Sequence, residues 1–265
     1  MSIINAIILG LVQGITEFIP VSSSGHLAIA SRLLGVDGAF AFDVLLNFGT
    51  LLALIIFYRR RLLFITKNIF INKRWGLLLK IIVATIPAVL FGILLKDNIE
   101  KLNEMIWVII ATLAVVGVLM IIYGRESFGA DDREIESSVG WKGAMRIGIS
   151  QTLALIPGVS RSGITILAGL RSNLSASKAA EFSFLLAIPV IAGASLKTLF
   201  SHDGLSFFQN NISVVLIGNI ASFTAGILAV NFLIKLISKR GLKDFGWYRV
   251  GLASLLIILV IFRVI

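Results

Sequence analysis

The sequence predicts an all-α integral membrane protein: six transmembrane helices plus two re-entrant helical hairpins, arranged as an inverted-topology repeat. Three observations carry this. The chain is 57% hydrophobic and only 14% charged, against about 25% charged in a soluble domain, so it cannot clothe a water-facing surface. Six apolar runs are long enough to cross a bilayer. The basic residues gather at the ends of those runs. Mean hydropathy is +0.98. At about 20 residues per crossing, the 265 residues leave room for no more than about ten helical segments.

The six runs lie near Phe42–Tyr58, Gly76–Leu95, Met105–Tyr123, Phe182–Leu199, Ile212–Leu236 and Trp247–Val264. Basic residues orient them. Arg59, Arg60, Arg61, Lys67, Lys73 and Arg74 crowd one loop, and Lys235, Lys239, Arg240, Lys243 and Arg249 another. Arg125, Arg133, Lys142, Arg146, Arg171 and Lys178 flank a third region. The Lys96–Glu104 loop has two basic residues, Lys96 and Lys101, and the Ser201–Asn211 loop has none. Rich loops are expected in the cytoplasm and poor ones outside. Six crossings then place both termini outside a multi-pass protein of the cell membrane.

Two further stretches, Ile3–Leu34 and Gly143–Leu170, are apolar but interrupted by Pro, Gly and serines. To keep the charge pattern, each must enter and leave on one side. Such broken backbone is tolerated in a membrane only where protein or a watery cavity surrounds it. The bland alternative, one kinked crossing helix each, would destroy the charge pattern.

An internal repeat supports the hairpins. Ile19-Pro20-Val21-Ser22-Ser23-Ser24-Gly25 resembles Ile156-Pro157-Gly158-Val159-Ser160-Arg161-Ser162-Gly163. Ser22 and Ser160 are 138 positions apart, Phe42 and Phe182 are 140 apart, and Gly92 and Gly226 are 134 apart. The nearly constant spacing is the better evidence. The reading is a single membrane domain, residues 1–265, with halves of about 1–125 and 140–265. Each half holds one hairpin and three crossings. Three is odd, so the second half is inverted relative to the first, with a site where the broken helices meet.

The formal charge of +10 is read as positive-inside topology plus contact with anionic membrane lipids, not as binding of nucleic acid. No cysteine is present, which excludes disulfides and thiolate metal sites. The first apolar stretch is not expected to be a cleaved signal peptide. It has no basic n-region before Arg32, and it contains Gln13, Glu17, Pro20 and His26.

The chemistry-bearing residues sit at the two breaks. Gln13 and Glu17 are four apart and share a helix face. Pro20 ends that helix, and Ser22, Ser23 and Ser24 cap the next, with Gly25 and His26 in its first turn. In the second hairpin Pro157-Gly158 is followed by Ser160, Arg161, Ser162, Gly163 and Thr165. Helix starts with free N–H groups attract anions, and arginine's planar fork suits phosphate oxygens. If the repeat is inverted, the two helix starts face each other around one polyanion site. Glu17 and Arg161 exposed to lipid would cost roughly 5–7 kcal/mol together. They should therefore face a cavity, where pairing is open to them; a purely structural ion pair is the bland reading. Asp43 and Asn47 could line the cavity mouth or cap a helix. Lys80 and Lys197 are expected to snorkel, and His202 to be solvated. Asp131, Asp132, Glu134 and Glu136 read as a hydrated linker.

Both hairpins resemble the undecaprenyl-diphosphate phosphatase family of the bacitracin-resistance type. The first motif is carried by Gln13, Glu17, Pro20, Ser22, Ser23, Ser24, Gly25 and His26, the second by Pro157, Gly158, Ser160, Arg161, Ser162, Gly163 and Thr165. Phe42-Asp43-Val44 and Arg59-Arg60 also fit, and the resemblance runs from near residue 2 to near residue 263. Gln13 stands where some members have Glu, which leaves one carboxylate rather than two for a metal. The resemblance implies hydrolysis of a C55 polyprenyl diphosphate to the monophosphate on the external face, recycling the carrier lipid for cell-wall synthesis. It also implies a divalent cation, Mg²⁺ or Ca²⁺, with Glu17 as its ligand. A homodimer is one assembly the sequence leaves open.

The residues fit that reaction. Arg161 and the helix starts would hold the phosphates, helped by Ser22, Ser24, Gly25, Ser160, Ser162 and Thr165. Glu17 would bind the cation or act as base, positioned by Gln13. Ser23 is the candidate nucleophile, activated by His26 in the Ser–His manner; direct attack by His26 and attack by water stay open. Two other readings compete. A lipid-carrier flippase could use the same inverted-repeat cavity. Ser24-Gly25-His26 and Ser160-Arg161 are also similar to motifs of acid-phosphatase-like lipid phosphatases, but that class needs a second catalytic histidine, and His202 lies in a loop.

Overall fold

The computed structural model describes residues 1–36, 40–95, 99, 101–102, 105–124 and 134–263, and the elements that follow are all helical. The first hairpin is α1 (Ile3–Phe18) and α2 (Ser23–Leu33). Then come α3 (Phe40–Leu45), α4 (Asn47–Phe57), α5 (Arg59–Phe70), α6 (Gly76–Leu94) and α7 (Ile106–Tyr123). A short α8 (Ile135–Ser138) leads into the second hairpin, α9 (Trp141–Thr152) and α10 (Arg161–Arg171), joined through a 3-10 turn at Leu153–Leu155. The chain closes with α11 (Ala176–Leu199), α12 (His202–Asn210), α13 (Ile212–Arg240) and α14 (Lys243–Ile261).

Among the described residues, five helices are long and apolar enough to cross a membrane: α6, α7, α11, α13 and α14. The first predicted run becomes a sixth candidate only as a bent pair. It is interrupted at Leu46, and at Tyr58 its axis turns by 71° into α5. The turn comes where Arg59, Arg60 and Arg61 end the apolar sequence. Two of the other predicted runs match α6 and α7 to within a residue, and three extend further at their polar ends: α11 starts at Ala176 rather than Phe182, α13 runs on to Arg240, and α14 starts at Lys243 rather than Trp247.

Each hairpin's first helix packs on the other half of the chain. The broadest contact in the molecule joins α1 to α13, and α9 packs along α6 in the same way. Glycine makes both approaches close. A Cβ on Gly10 would collide with the Gly218 carbonyl, and one on Gly148 would lie 2.6 Å from the Ala84 Cα. These two glycines are 138 positions apart, the spacing of the capping serines. The α7 and α14 helices pack on each other, and α10 rests on α11.

Two basic residues depart from the sequence reading. Arg249 was counted with a cytoplasmic loop, but α14 begins at Lys243, which carries Arg249 into the interior, where it is 0% exposed. Lys80 does not snorkel: it is buried, its Nζ donates to the Glu136 carbonyl at 2.7 Å, and it lies over the Trp141 ring. His202 is solvated as expected, with a side chain 97% exposed. Lys96, Glu104, Arg125, Asp131, Asp132, Arg133 and the end of the last run at Val264 lie outside the described residues.

Overpacking a tight interior costs about 1–3 kcal/mol. Gly10→Ala and Gly148→Ala are therefore each expected to lower the melting temperature in detergent, whereas Gly193→Ala and Gly251→Ala, where a Cβ meets nothing within 4 Å, should not. Equal melting of all four would show that the interlocked contacts do not limit stability.

Candidate active site

The two breaks are built alike. Ser22 and Ser160, the N-caps of α2 and α10, both have positive φ, 79° and 73°. For a residue with a Cβ this is sparsely populated backbone, costing on the order of 1–3 kcal/mol. The reward is a cap at each helix start. Ser22 Oγ accepts from the Gly25 N–H at 3.3 Å, and Ser160 Oγ from the Gly163 N–H at 3.2 Å. Each also lies 3.2 Å from the hydroxyl two residues on, Ser24 or Ser162.

The breaks are also tied to each other. Ser162 Oγ donates to the Ile19 carbonyl at 3.4 Å, and the Gly158 N–H donates to Ser24 Oγ at 3.5 Å. Gly158 has φ +86°, and a Cβ there would collide with Thr112 Oγ1, so this turn admits only glycine. Thr112 Oγ1 donates to the Pro157 carbonyl at 2.6 Å.

Between the helix starts lies one ion pair. Arg161 Nη2 meets Glu17 Oε1 at 2.8 Å, and both side chains are only 11% exposed. The other carboxylate oxygen, Oε2, accepts from Ser23 Oγ at 2.7 Å and from Gln13 Nε2 at 3.1 Å. Gln13, 1% exposed, also donates to Asn47 Oδ1 at 2.6 Å. Arg161 Nη1 reaches the Ser183 carbonyl at 3.3 Å. Thr165 is fully buried, its hydroxyl 2.6 Å from Ser183 Oγ and 2.7 Å from the Arg161 carbonyl that accepts from it. Phe18 packs edge-on against Phe184 beside this cluster.

The structure thus brings together Gln13, Glu17, Ser22, Ser23, Ser24, Gly25, Ser160, Arg161, Ser162 and Thr165. It corrects one pairing. Ser23 is not joined to His26 in a Ser–His arrangement. Its hydroxyl is bonded to Glu17, while both His26 ring nitrogens are engaged elsewhere. Nδ1 lies 2.7 Å from the Ser22 carbonyl and Nε2 2.7 Å from the Tyr248 hydroxyl. The bond back to Ser22, one turn away, swings the ring toward α14.

Four contributors escaped sequence reasoning in this role: Thr112, Ser183, Tyr248 and Arg249. The last carried a signal, an arginine in the second turn of an apolar run. Asn47, considered for the cavity mouth, instead holds Gln13. Asp43 lies in α3, and its Oδ1 is buried without a hydrogen-bond partner.

A resident metal would need several hard oxygen donors. Among the described residues no group of three or more His, Asp or Glu could hold one, and both Glu17 oxygens already have partners. Glu17 would hold such a cation together with further oxygens from a ligand.

Residues 6–255 match the family described as bacitracin resistance protein BacA. An undecaprenyl-diphosphatase of Porphyromonas gingivalis is 35% identical over 277 residues, covering 98% of each chain. One from Bdellovibrio bacteriovorus is 36% identical over 98% of this chain and 96% of its own. One from Rubrobacter xylanophilus is 38% identical over 96% and 97%. With a match across nearly its whole length, this chain belongs to the BacA family.

Proposed function

We propose that this chain hydrolyses undecaprenyl diphosphate to undecaprenyl phosphate and inorganic phosphate, the activity for which its relatives are named. The observation that carries this is the meeting of Glu17, Ser23 and Arg161 between two anion-attracting helix starts. The family description names bacitracin resistance, which we read as a consequence of this activity, and recycling of the lipid carrier for cell-wall synthesis follows from its product.

Diphosphate cleavage needs charge neutralisation, an oriented nucleophile and a base. Arg161 and the N–H groups at the starts of α2 and α10 would hold the phosphate oxygens. As those oxygens take up Arg161, Glu17 is released to act as base. Ser23, already 2.7 Å from Glu17, gives up its proton as Oγ attacks the terminal phosphorus. The bond from that phosphorus to the bridging oxygen breaks, Glu17 passes its proton to the departing phosphate, and undecaprenyl phosphate leaves. Water then attacks the phosphoserine, its proton going to the regenerated Glu17 carboxylate, which returns a proton to Ser23 Oγ as inorganic phosphate is released. A water molecule attacking directly, with Glu17 as its base, is the main rival. Attack by His26 ranks third, because both ring nitrogens are bonded elsewhere. A divalent cation, Mg²⁺ or Ca²⁺, would be held by Glu17 together with substrate oxygens and would neutralise phosphate charge. A flippase reading uses the same cavity, but the serine–carboxylate contact favours chemistry.

The topology proposed with this is six crossings and two re-entrant hairpins in an inverted repeat, halves about 1–125 and 140–265, with both termini and the site's opening external. The swapped packing of α1 on α13 and α9 on α6 supports it, as do the matching caps at Ser22 and Ser160.

Three measurements test these proposals. In detergent, where transport has no meaning, the wild-type chain should release phosphate from undecaprenyl diphosphate. Glu17→Gln and Arg161→Ala should remain inserted yet lose at least about 10²-fold in kcat; wild-type turnover in either would overturn the site. Ser23→Ala should abolish a trappable phosphoenzyme, whereas a variant that retains near-normal turnover would hand the attack to water. Because the chain has no cysteine, single replacements report sidedness cleanly. His202→Cys should react with an impermeant thiol reagent from outside intact cells, and Lys239→Cys only after lysis. The reverse pattern would invert the topology.

A further inference from the structure

Two adjacent residues of α14, Tyr248 and Arg249, touch both halves of the site without belonging to either motif. Arg249 is fully buried. Its Nη1 donates to the Pro20 carbonyl at 3.3 Å, and its Nη2 to the carbonyls of Gly158 at 2.7 Å and Thr112 at 3.3 Å. Pro20 and Gly158 each stand two positions before the capping serine of their own hairpin. One guanidinium therefore spans both breaks. Carbonyls freed by a broken helix in an apolar interior are costly unless paired, and a planar fork spreads its N–H donors over separated carbonyls, whereas an ammonium's donors all radiate from one nitrogen.

The charge of Arg249 also matters. Among the described residues no carboxylate lies within 4.0 Å of it, and its Nε is buried without a partner. Glu17 and Arg161 cancel each other. The remaining positive charge at the junction of the helix starts is that of Arg249.

Tyr248 acts on His26. A carbonyl oxygen can only accept, so the contact with Ser22 places the ring proton of neutral His26 on Nδ1. Nε2 is then the acceptor, and the Tyr248 hydroxyl donates to it at 2.7 Å. The two rings are stacked, 8° from parallel with centroids 5.8 Å apart.

We propose that Tyr248 and Arg249 are positioning residues for the hydrolysis: Arg249 holds the two hairpin breaks in register, so that Ser23 and Arg161 address one diphosphate, and Tyr248 fixes His26 with Nε2 as hydrogen-bond acceptor and Nδ1 on the Ser22 carbonyl, which steadies the helix start that carries Ser23. This rests on the activity proposed above. The roles act through Pro20, Gly158 and His26, and neither residue needs to touch the reacting atoms.

The test uses the full chain in detergent, carrying His202→Gln so that His26 is the one remaining histidine. ¹⁵N-histidine spectra should show an Nδ1–H ring with a hydrogen-bonded Nε2. Tyr248→Phe keeps the stacked ring and should move the Nε2 signal toward that of an unbonded ring nitrogen. It should lower kcat by about five- to tenfold, the worth of one such bond, with KM within about twofold. Arg249→Lys retains the charge but cannot reach three carbonyls, and kcat in its folded fraction should fall by about 10²-fold, as for an ångström of misplacement. An unchanged His26 spectrum in Tyr248→Phe, or wild-type kcat in either variant, overturns the proposal. Should Arg249→Lys fail to fold, Tyr248→Phe decides alone. Absence of phosphate release from the wild-type chain would instead sink the activity, while the spectra still decide the His26 geometry.

Discussion

Backbone polarity governs this molecule. Two helices in an apolar chain are broken in their middles, and every N–H and C=O released by the breaks must find a partner inside the protein. The chain answers with serines at the helix starts, Thr112 over the Pro157 carbonyl, and Arg249 across both turns. In the proposed reaction the remaining N–H groups at the starts of α2 and α10 take phosphate oxygens. Structural necessity and the proposed phosphate affinity thus have a common origin: what a broken helix lacks in a membrane is what an anion supplies.

The ion pair at the centre has a similar double character. Glu17 and Arg161 come from different hairpins, 144 positions apart, and their contact at 2.8 Å closes the junction between the halves. A largely buried pair of this kind loses solvation on both sides, so its net contribution to stability is small or negative. Its value lies in being exchangeable. In the proposed reaction a diphosphate takes Glu17's place on Arg161, and the freed carboxylate keeps Ser23 and Gln13 as hydrogen-bond donors.

The site's near side was legible in the sequence, and its far side was not. Proline and serine clusters mark breaks and caps by local rules, so Glu17, Ser22 to Ser24, Ser160 to Ser162 and Thr165 could be placed from their neighbours alone. A spacing of four put Gln13 beside Glu17. What no periodicity reveals is which distant helix lies opposite. His26 and Tyr248 are 222 positions apart, and nothing local to His26 says that its ring turns away from Ser23. Arg249 was misassigned for a related reason: hydropathy treats an arginine at the edge of an apolar run as flanking water, whereas three inward carbonyls can draw it inside. The five long helices were read correctly in place, with errors at their polar ends. The first run ends at its predicted end, Tyr58, where three arginines close the apolar sequence, but its interruption at Leu46 left no mark in the composition.

The partnering of α1 with α13 has a consequence for biosynthesis. About 190 residues separate the end of the former from the start of the latter. At 5–20 residues per second, the nascent N-terminal segment waits roughly 10–40 s before its companion leaves the ribosome. For most of that interval Glu17 has no Arg161, and for all of it the Pro20 carbonyl has no guanidinium. The early segment must therefore lodge at the interface or be sheltered by the insertion machinery, and the catalytic centre is assembled last, when the C-terminal helix arrives.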